Sequence, residues 1–366
     1  MNEDAFLHRI AITLIEGVGD VIARQLISYC GSVEAVFQEK KKSLLKIPDI
    51  GPKTAQAIVS FKDFGRAEKE LAFAKKHGIK IHFFTDPSYP SRLRNCHDAP
   101  LLLYSKGEND LNIQRVVGIV GTRRATESGK TITESLCTEL GAMGATIVSG
   151  LAFGIDITAH RTCLENDIPT WGVVAHGLDR IYPKEHTSIA RKMTGLGNII
   201  TENPSGTAPD RENFPRRNRI IAGMCDAIIV TEAAKTGGAL ITADIANSYN
   251  RDVFAVPGRL NDPMSEGCNM LIKTHRASLL QSAADVRYIL GWQDEKTKIP
   301  KQTKLFLELD EKERQLMHLL ESRRTLFIDD IASELQSNPG ETCTLLIKLE
   351  LKGLVKNLPG KRYSLI

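Results

Sequence analysis

The chain has 366 residues, enough for two or three domains, and its composition (42% hydrophobic, 25% charged, 6% aromatic) is that of a globular protein. No apolar run approaches the roughly 18 residues that cross a bilayer, and the amino terminus MNEDAFLHRI carries acids where a secretory signal carries bases; a cytoplasmic protein without a membrane partner is expected. The net charge of +4 is weak grounds for a polyanionic partner: +3 falls in residues 1–85 (13 basic against 10 acidic), while residues 86–300 balance at zero with their charges clustered.

Residues 1–85 read as helical, with two related strings, LIEGVGDVIARQLI (14–27) and LLKIPDIGPKTAQAI (44–58). Each places a glycine-bearing turn ahead of a helix, the pattern of a helix-hairpin-helix or SAM-like domain. Its turn amides either face a nucleic-acid phosphate or only close a small helical bundle. From 86 to 292 apolar strands alternate with amphipathic helices. The strands are VVGIVG (116–121), ATIVSG (145–150), TWGVVAH (170–176), NIITE (198–202), DAIIVTE (226–232) and DVFAVPG (252–258). That alternation predicts an α/β fold, a doubly wound Rossmann-like parallel sheet whose ligand lies at the carboxyl ends of the strands. Residues 293–304 read as a linker. Residues 305–366 offer three helices and a hairpin around Pro359 and Gly360, a winged helix; its third helix carries only Lys348 and Lys352 as cations, which favours protein contact over reading a DNA groove.

The chemistry concentrates in the central segment. FPRRNRIIAG (214–223) groups Arg216, Arg217 and Arg219 with Asn218, a set of donors suited to phosphate or carboxylate. In GTRRAT, Gly121 lets Thr122 bring its amide close to an anion while Arg123 or Arg124 adds charge, one of the two being free to pair with Glu127 instead. Gly129-Lys130-Thr131 is not a phosphate-binding P-loop, because the glycine that pattern requires at 124 is Arg124. In VSGLAFGIDITAH, Ser149 and Gly150 end a strand, and Asp156 caps or opens the helix bearing His160. These two, four apart, read as a structural hydrogen-bonded pair before an acid-base one. Phe153, between two glycines, suits a stacking platform for an unstacked base, a contact worth about 1–3 kcal/mol. Lys184 follows a Tyr-Pro turn, and Lys235, Thr236, Gly237 and Gly238 precede a helix in an arrangement suited to phosphate.

Several anion-binding turns on one sheet edge fit a polyphosphate strand better than one small phosphate compound. Seven cysteines without a C-x-x-C pair read as reduced thiols, and nine histidines show no metal-ligand spacing, so no metal and no cofactor is expected. Binding without catalysis is the simpler account, because no pair of carboxylates stands out beside a nucleophile.

IVGTRRAT, SGLAFGIDITAH, HGLDRIYP, FPRRNRIIAG, EAAKTGGALITA and VFAVPG, in this order over about 115–275, resemble the sequence blocks of the DNA processing protein A family (DprA, also called Smf). The resemblance implies a cytoplasmic mediator of recombination that binds single-stranded DNA and dimerises through its central domain. It further implies loading of the RecA recombinase onto strands covered by single-strand-binding protein, in natural transformation. By that pattern the DNA-contacting cations map to Arg123, Lys184, Arg216, Arg217 and Arg219, with Arg211 a looser match. The same segment distantly resembles phosphoribohydrolases that cleave nucleoside monophosphates. Their P-G-G-x-G-T motif is met here by KTGGAL, which lacks the proline and the G-T pair. A sequence-specific regulator acting through the winged helix is the third reading, and the sparse cations of its third helix argue against it.

Overall fold

The computed structural model describes residues 3–292, 309–323, 325–358 and 362–365. They form two units, divided between residues 293 and 294. The linker expected at 293–304, residues 305–308 and the turn around Pro359 and Gly360 lie outside the described residues.

The first unit begins with six helices: α1 (Glu3–Thr13), α2 (Asp20–Cys30), α3 (Val33–Gln38), α4 (Lys41–Leu44), α5 (Pro52–Ser60) and α6 (Gly65–His77). The two hairpin strings form as expected. Left-handed residues, Gly17 at φ 78° and Asp49 at φ 61°, turn the chain, and extended Gly19 and Gly51 cap α2 and α5. Each following helix buries one stripe, Ala23 and Leu26 in α2, Ala55 and Ile58 in α5. Their core is not self-contained, because Ile10, Leu26, Leu44 and Ile58 pack in one cluster with Phe83, Leu101 and Leu102 of the sheet layer.

Nine strands form one sheet: β1 (Lys80–Phe83), β2 (Leu102–Gly107), β3 (Val116–Val120), β4 (Thr146–Ser149), β5 (Thr170–Val173), β6 (Asn198–Thr201), β7 (Ala227–Val230), β8 (Asp252–Ala255) and β9 (Ser278–Leu279). The order is β1-β2-β6-β5-β4-β3-β7-β8-β9, parallel from β6 to β9, with β1 and β2 antiparallel at one edge. The connecting helices are α7 (Ser91–Arg94), α8 (Glu127–Ala142), α9 (Ile155–Glu165), α10 (Thr187–Leu196), α11 (Asn213–Met224), α12 (Gly238–Ser248), α13 (Glu266–Lys273) and α14 (Ala283–Ile289). Strands β3 to β7 are buried on both faces, which is why they read as unbroken apolar runs. The sheet starts earlier than the helical reading to residue 85 allowed. Gly78, left-handed at φ 64°, stops α6, and the next residues pair with β2 at the register Lys80↔Ser105.

The second unit is a winged helix: α15 (Glu311–Arg323), β10 (Leu326–Phe327), α16 (Ile328–Glu334), α17 (Pro339–Leu351), β11 (Val355–Leu358) and β12 (Arg362–Leu365), with sheet order β10-β12-β11. Leu316, Leu320, Ile331, Leu346, Leu349 and Val355 form its core. Among the described residues no helix is long and apolar enough to cross a membrane.

Candidate nucleic-acid interface

Strand order reverses between β3 and β7. The chain leaves β3 for β4 and leaves β7 for β8, so the turns after them diverge and leave a crevice at the carboxyl ends of the strands. The turns are tied together across that crevice. The Thr122 amide donates to the Glu232 carbonyl at 2.8 Å, and the buried Glu232 carboxylate accepts from the Thr126 amide (2.9 Å) and from its hydroxyl. Thr126 in turn caps α8, accepting from the Gly129 amide at 3.0 Å.

The turn after β4 packs on the same place. Gly154 has φ 74°, and a Cβ added there would stand 2.2 Å from the Thr122 carbonyl oxygen, so only glycine fits both the dihedral and the space.

The crevice is a cavity of about 940 Å³. Gly121, Thr122 and Arg123 line one side, Lys235, Thr236, Gly237 and Gly238 another, and Arg211, Arg217 and Asn218 border it from α11 and the loop ahead of it. Phe214 and Tyr182 also line it, their ring centroids 6.0 Å apart. The Arg123 guanidinium lies 5.4 Å from the Phe214 ring centroid. Arg123, Arg211 and Lys235 are exposed and donate to no protein acceptor among the described residues, so their N–H groups are available to an anion. Glu127, the candidate partner for Arg123 or Arg124, pairs with Lys130 at 2.7 Å instead. The first-turn amides of α12 border the same space, and a helix amino terminus favours negative charge.

Arg217 has a different character. It is buried: Nη1 donates to the Gly150 carbonyl at 2.6 Å and to the Val173 carbonyl, and Nε donates to Asn218 Oδ1 at 3.1 Å. Burial pulls its pKa down to about 10, with Asp156 acting against that shift and Arg123 adding to it. Asp156, also buried, accepts from the Gly150 and Ala152 amides at 3.1 and 3.4 Å. Burial raises its pKa, and Arg217 opposes the rise. Asp156 thus closes the turn at the start of α9. Gly150 is where Arg217 rests, since an added Cβ would meet the guanidinium at 2.6 Å.

The hydrogen bonds of Asp156 and His160 go elsewhere than to one another. Thr170 Oγ1 donates to the Ile147 carbonyl at 2.9 Å, so the contact of 2.8 Å with His160 Nδ1 requires the imidazole to donate; the ring is neutral, with Nε2 buried and unpartnered. Burial holds the His160 pKa down at about 3. The unfolded ring binds a proton near 6.5, so stability is complete above that pH and falls as pH drops from about 6.5 toward 3, by up to about 1.4 kcal/mol per unit. Urea midpoints at pH 7, 6 and 5 should fall in that order, and His160→Gln should flatten the slope by one proton. An unchanged slope in that variant would exclude this account.

Other expected residues stand apart from the cavity. Ser149 is buried and donates to the Ile119 carbonyl at 2.6 Å, joining β4 to β3. Arg124 and Arg216 are exposed but do not line the cavity. Phe153, 44% exposed, meets His186 edge-on at 4.8 Å, and neither it nor Lys184, two residues beyond Tyr182, lines the cavity. Arg219 is a correction. Two residues past Arg217 on α11, it turns to another face and is consumed by Glu202, by Asp20 at 3.3 Å and by the Asp98 carbonyl. It fastens the helical segment to the sheet and leaves no donor toward the cavity.

Sequence reasoning overlooked Tyr182, Phe214 and Glu232. The two rings sit inside the quoted motifs, where only the charges drew notice. Glu232 acts across 106 residues and has no local signature.

In the winged helix, Lys352 is bound by both carboxylate oxygens of Glu313 at 2.7 Å, while Ile347 (50%) and Leu351 (84%) are exposed on α17. That surface is poor in available cations.

The family model for DNA recombination-mediator protein A matches residues 80–291, that for a SAM-like helix-hairpin-helix tandem residues 10–61, and that for the DprA winged helix domain residues 301–361. The chain is 32% identical to protein Smf of Synechocystis sp. over 97% of both chains. It is similar to a crystal structure of DNA processing protein A from Streptococcus pneumoniae, with TM-score 0.68 and 33% identity over 77% of this chain and 97% of that one. It is also similar to a DNA processing protein A from Helicobacter pylori, solved for its single-stranded DNA binding mode, with TM-score 0.53 and 30% identity over 58% of this chain and 95% of that one.

Proposed function

The chain belongs to the DNA recombination-mediator protein A (DprA/Smf) family, and from that premise we propose that its central cavity binds single-stranded DNA in the service of recombination. One observation carries the reading: Arg123, Arg211 and Lys235 reach the same cavity from separate loops, with donors free of protein partners, beside the first-turn amides of α12. Phosphates along a strand would meet these donors in turn, while unstacked bases lie against Phe214, Tyr182 or Phe153. Such contacts are indifferent to sequence. Dimerisation through the central unit, as the family resemblance implies, would join two cavities on one strand and raise avidity. Loading of a RecA-type recombinase onto strands coated by single-strand-binding protein, in the cytoplasm, is the finer role we assign. The exposed apolar face of α17 suits a protein partner better than a DNA groove.

The test is a titration of the full chain with oligo-dT and with duplex of equal length. Oligo-dT should bind more tightly, log K should fall with log salt by about 0.7 for each phosphate neutralised, and Arg123→Ala should weaken binding about tenfold without lowering the melting temperature. A chain that ignores the strand and instead cleaves nucleoside monophosphates would belong to the competing hydrolase reading.

A further inference from the structure

We propose that Glu70, on α6 of the amino-terminal helical segment, is a positioning residue for the strand-binding cavity: through Ser205 it fixes the loop of residues 202–212 that presents Arg211. The inference rests on the strand-binding reading and adds to it a part of the chain that does not line the cavity.

The connection from β6 to α11 is irregular throughout, and its far end, with Pro209 and Arg211, borders the cavity. Nothing among the described residues holds the Arg211 side chain, so its place is set by its backbone. That backbone is anchored from two sides. Glu70, only 2% exposed, accepts the Ser205 amide on both carboxylate oxygens, at 2.9 and 3.0 Å, and the Ser205 hydroxyl at 2.5 Å. Arg66, one turn earlier on α6, donates to Glu70 at 2.9 Å and to the Ser205 carbonyl, so every polar group of Ser205 is engaged by the helix. From the other side the Gly206 amide donates to Asp179 at 2.8 Å, in the turn that leads to Tyr182 and Lys184.

A carboxylate is buried this deeply only where its acceptor sites are used, and here all of its partners are on one turn of one loop or on its own helix. Released from Glu70, the loop keeps the Asp179 contact and the bond from the Gly177 amide to the Thr207 carbonyl but loses its tie to α6, so part of its ordering falls to the DNA and part of the contribution of Arg211 goes into that ordering.

The experiment compares oligo-dT binding by the wild-type chain, Arg211→Ala, Glu70→Gln and the double variant, with melting temperatures recorded alongside. Each single change should weaken binding about five- to tenfold and lower the salt slope by about 0.7, the share of one phosphate, and Arg211→Ala should cost less than about twofold in the Glu70→Gln background. A purely structural Glu70 would lower the melting temperature and leave the salt slope intact. The same cost for Arg211→Ala in both backgrounds overturns the proposal. Should Glu70→Gln fail to fold, Arg66→Ala, altering a side chain 40% exposed, takes its place in the same cycle. Failure of the wild-type chain to bind the strand would overturn the functional reading itself, an outcome distinct from additivity.

Discussion

Arg217→Ala is expected to cost about 3–5 kcal/mol of folding free energy and to lower the melting temperature by on the order of 10 °C, more than any other change among the cavity residues. The guanidinium ties the Gly150 and Val173 carbonyls, at the ends of β4 and β5, to α11. It is also the cation that opposes the burial cost of Asp156. Alanine leaves both carbonyls without that donor and removes the nearby charge that offsets the burial of Asp156, whose bonds to the Gly150 and Ala152 amides remain; uncompensated polar groups in a buried place are costly. Lysine restores the charge without the fork and should recover only part of the loss. The measurement is thermal unfolding beside an oligo-dT titration. A variant melting within about 2 °C of the parent, or one that keeps full affinity, would refute the assignment of Arg217 as the joint between the strand ends and α11 on which the cavity is built. The contrast with Arg123→Ala, which should impair binding alone, separates the residue that builds the cavity from one that faces into it.

Gly154→Ala should be the second most damaging, through geometry alone. The residue pays a left-handed dihedral, and its new methyl meets the Thr122 carbonyl and the Arg123 backbone, so the first turn must move. Strain and displacement together cost about 2–5 kcal/mol, and strand affinity should fall by at least about tenfold because Arg123 moves with the turn. Gly144 provides the control. Its φ is 75°, nearly the same, but an added Cβ has nothing within 4 Å. Gly144→Ala should therefore lose about 1–2 kcal/mol and bind the strand normally. Equal behaviour of the two variants in the binding assay would show that the contact of Gly154 with Thr122 does not matter.

The parts of this molecule that were legible in the sequence are those whose cause is local. The six apolar runs from Val116 to Pro257 announce parallel strands because burial on both faces demands unbroken hydrophobicity, and the glycine-bearing turns announce where the chain must bend at their ends. The antiparallel strands β1 and β2 escaped because one lies just past a helix stop and the other before the first recognisable turn; β9 has two residues and carries almost no pattern. Charge was read correctly as a type and less well as a direction. Arg216, Arg217 and Arg219 look equivalent in FPRRNRIIAG, yet α11 rotates them to solvent, to the strand ends and to the helical segment in turn. Successive residues on a helix are about 100° apart, so a basic run cannot serve one ligand as a whole unless the helix is met end-on. The links that set the cavity, Glu232 to Thr126 and Glu70 to Ser205, join residues more than a hundred positions apart, and no spacing rule reaches that far.

The shared packing of Phe83, Leu101 and Leu102 with Ile10, Leu26 and Leu44 bears on how the protein can be cut for study. A fragment beginning near Lys80, where the match to the recombination-mediator model starts, would bare large aliphatic and aromatic side chains that the missing helices normally cover. Insolubility of such a truncation would reflect that stripped surface and would be no sign that the deleted helices grip DNA.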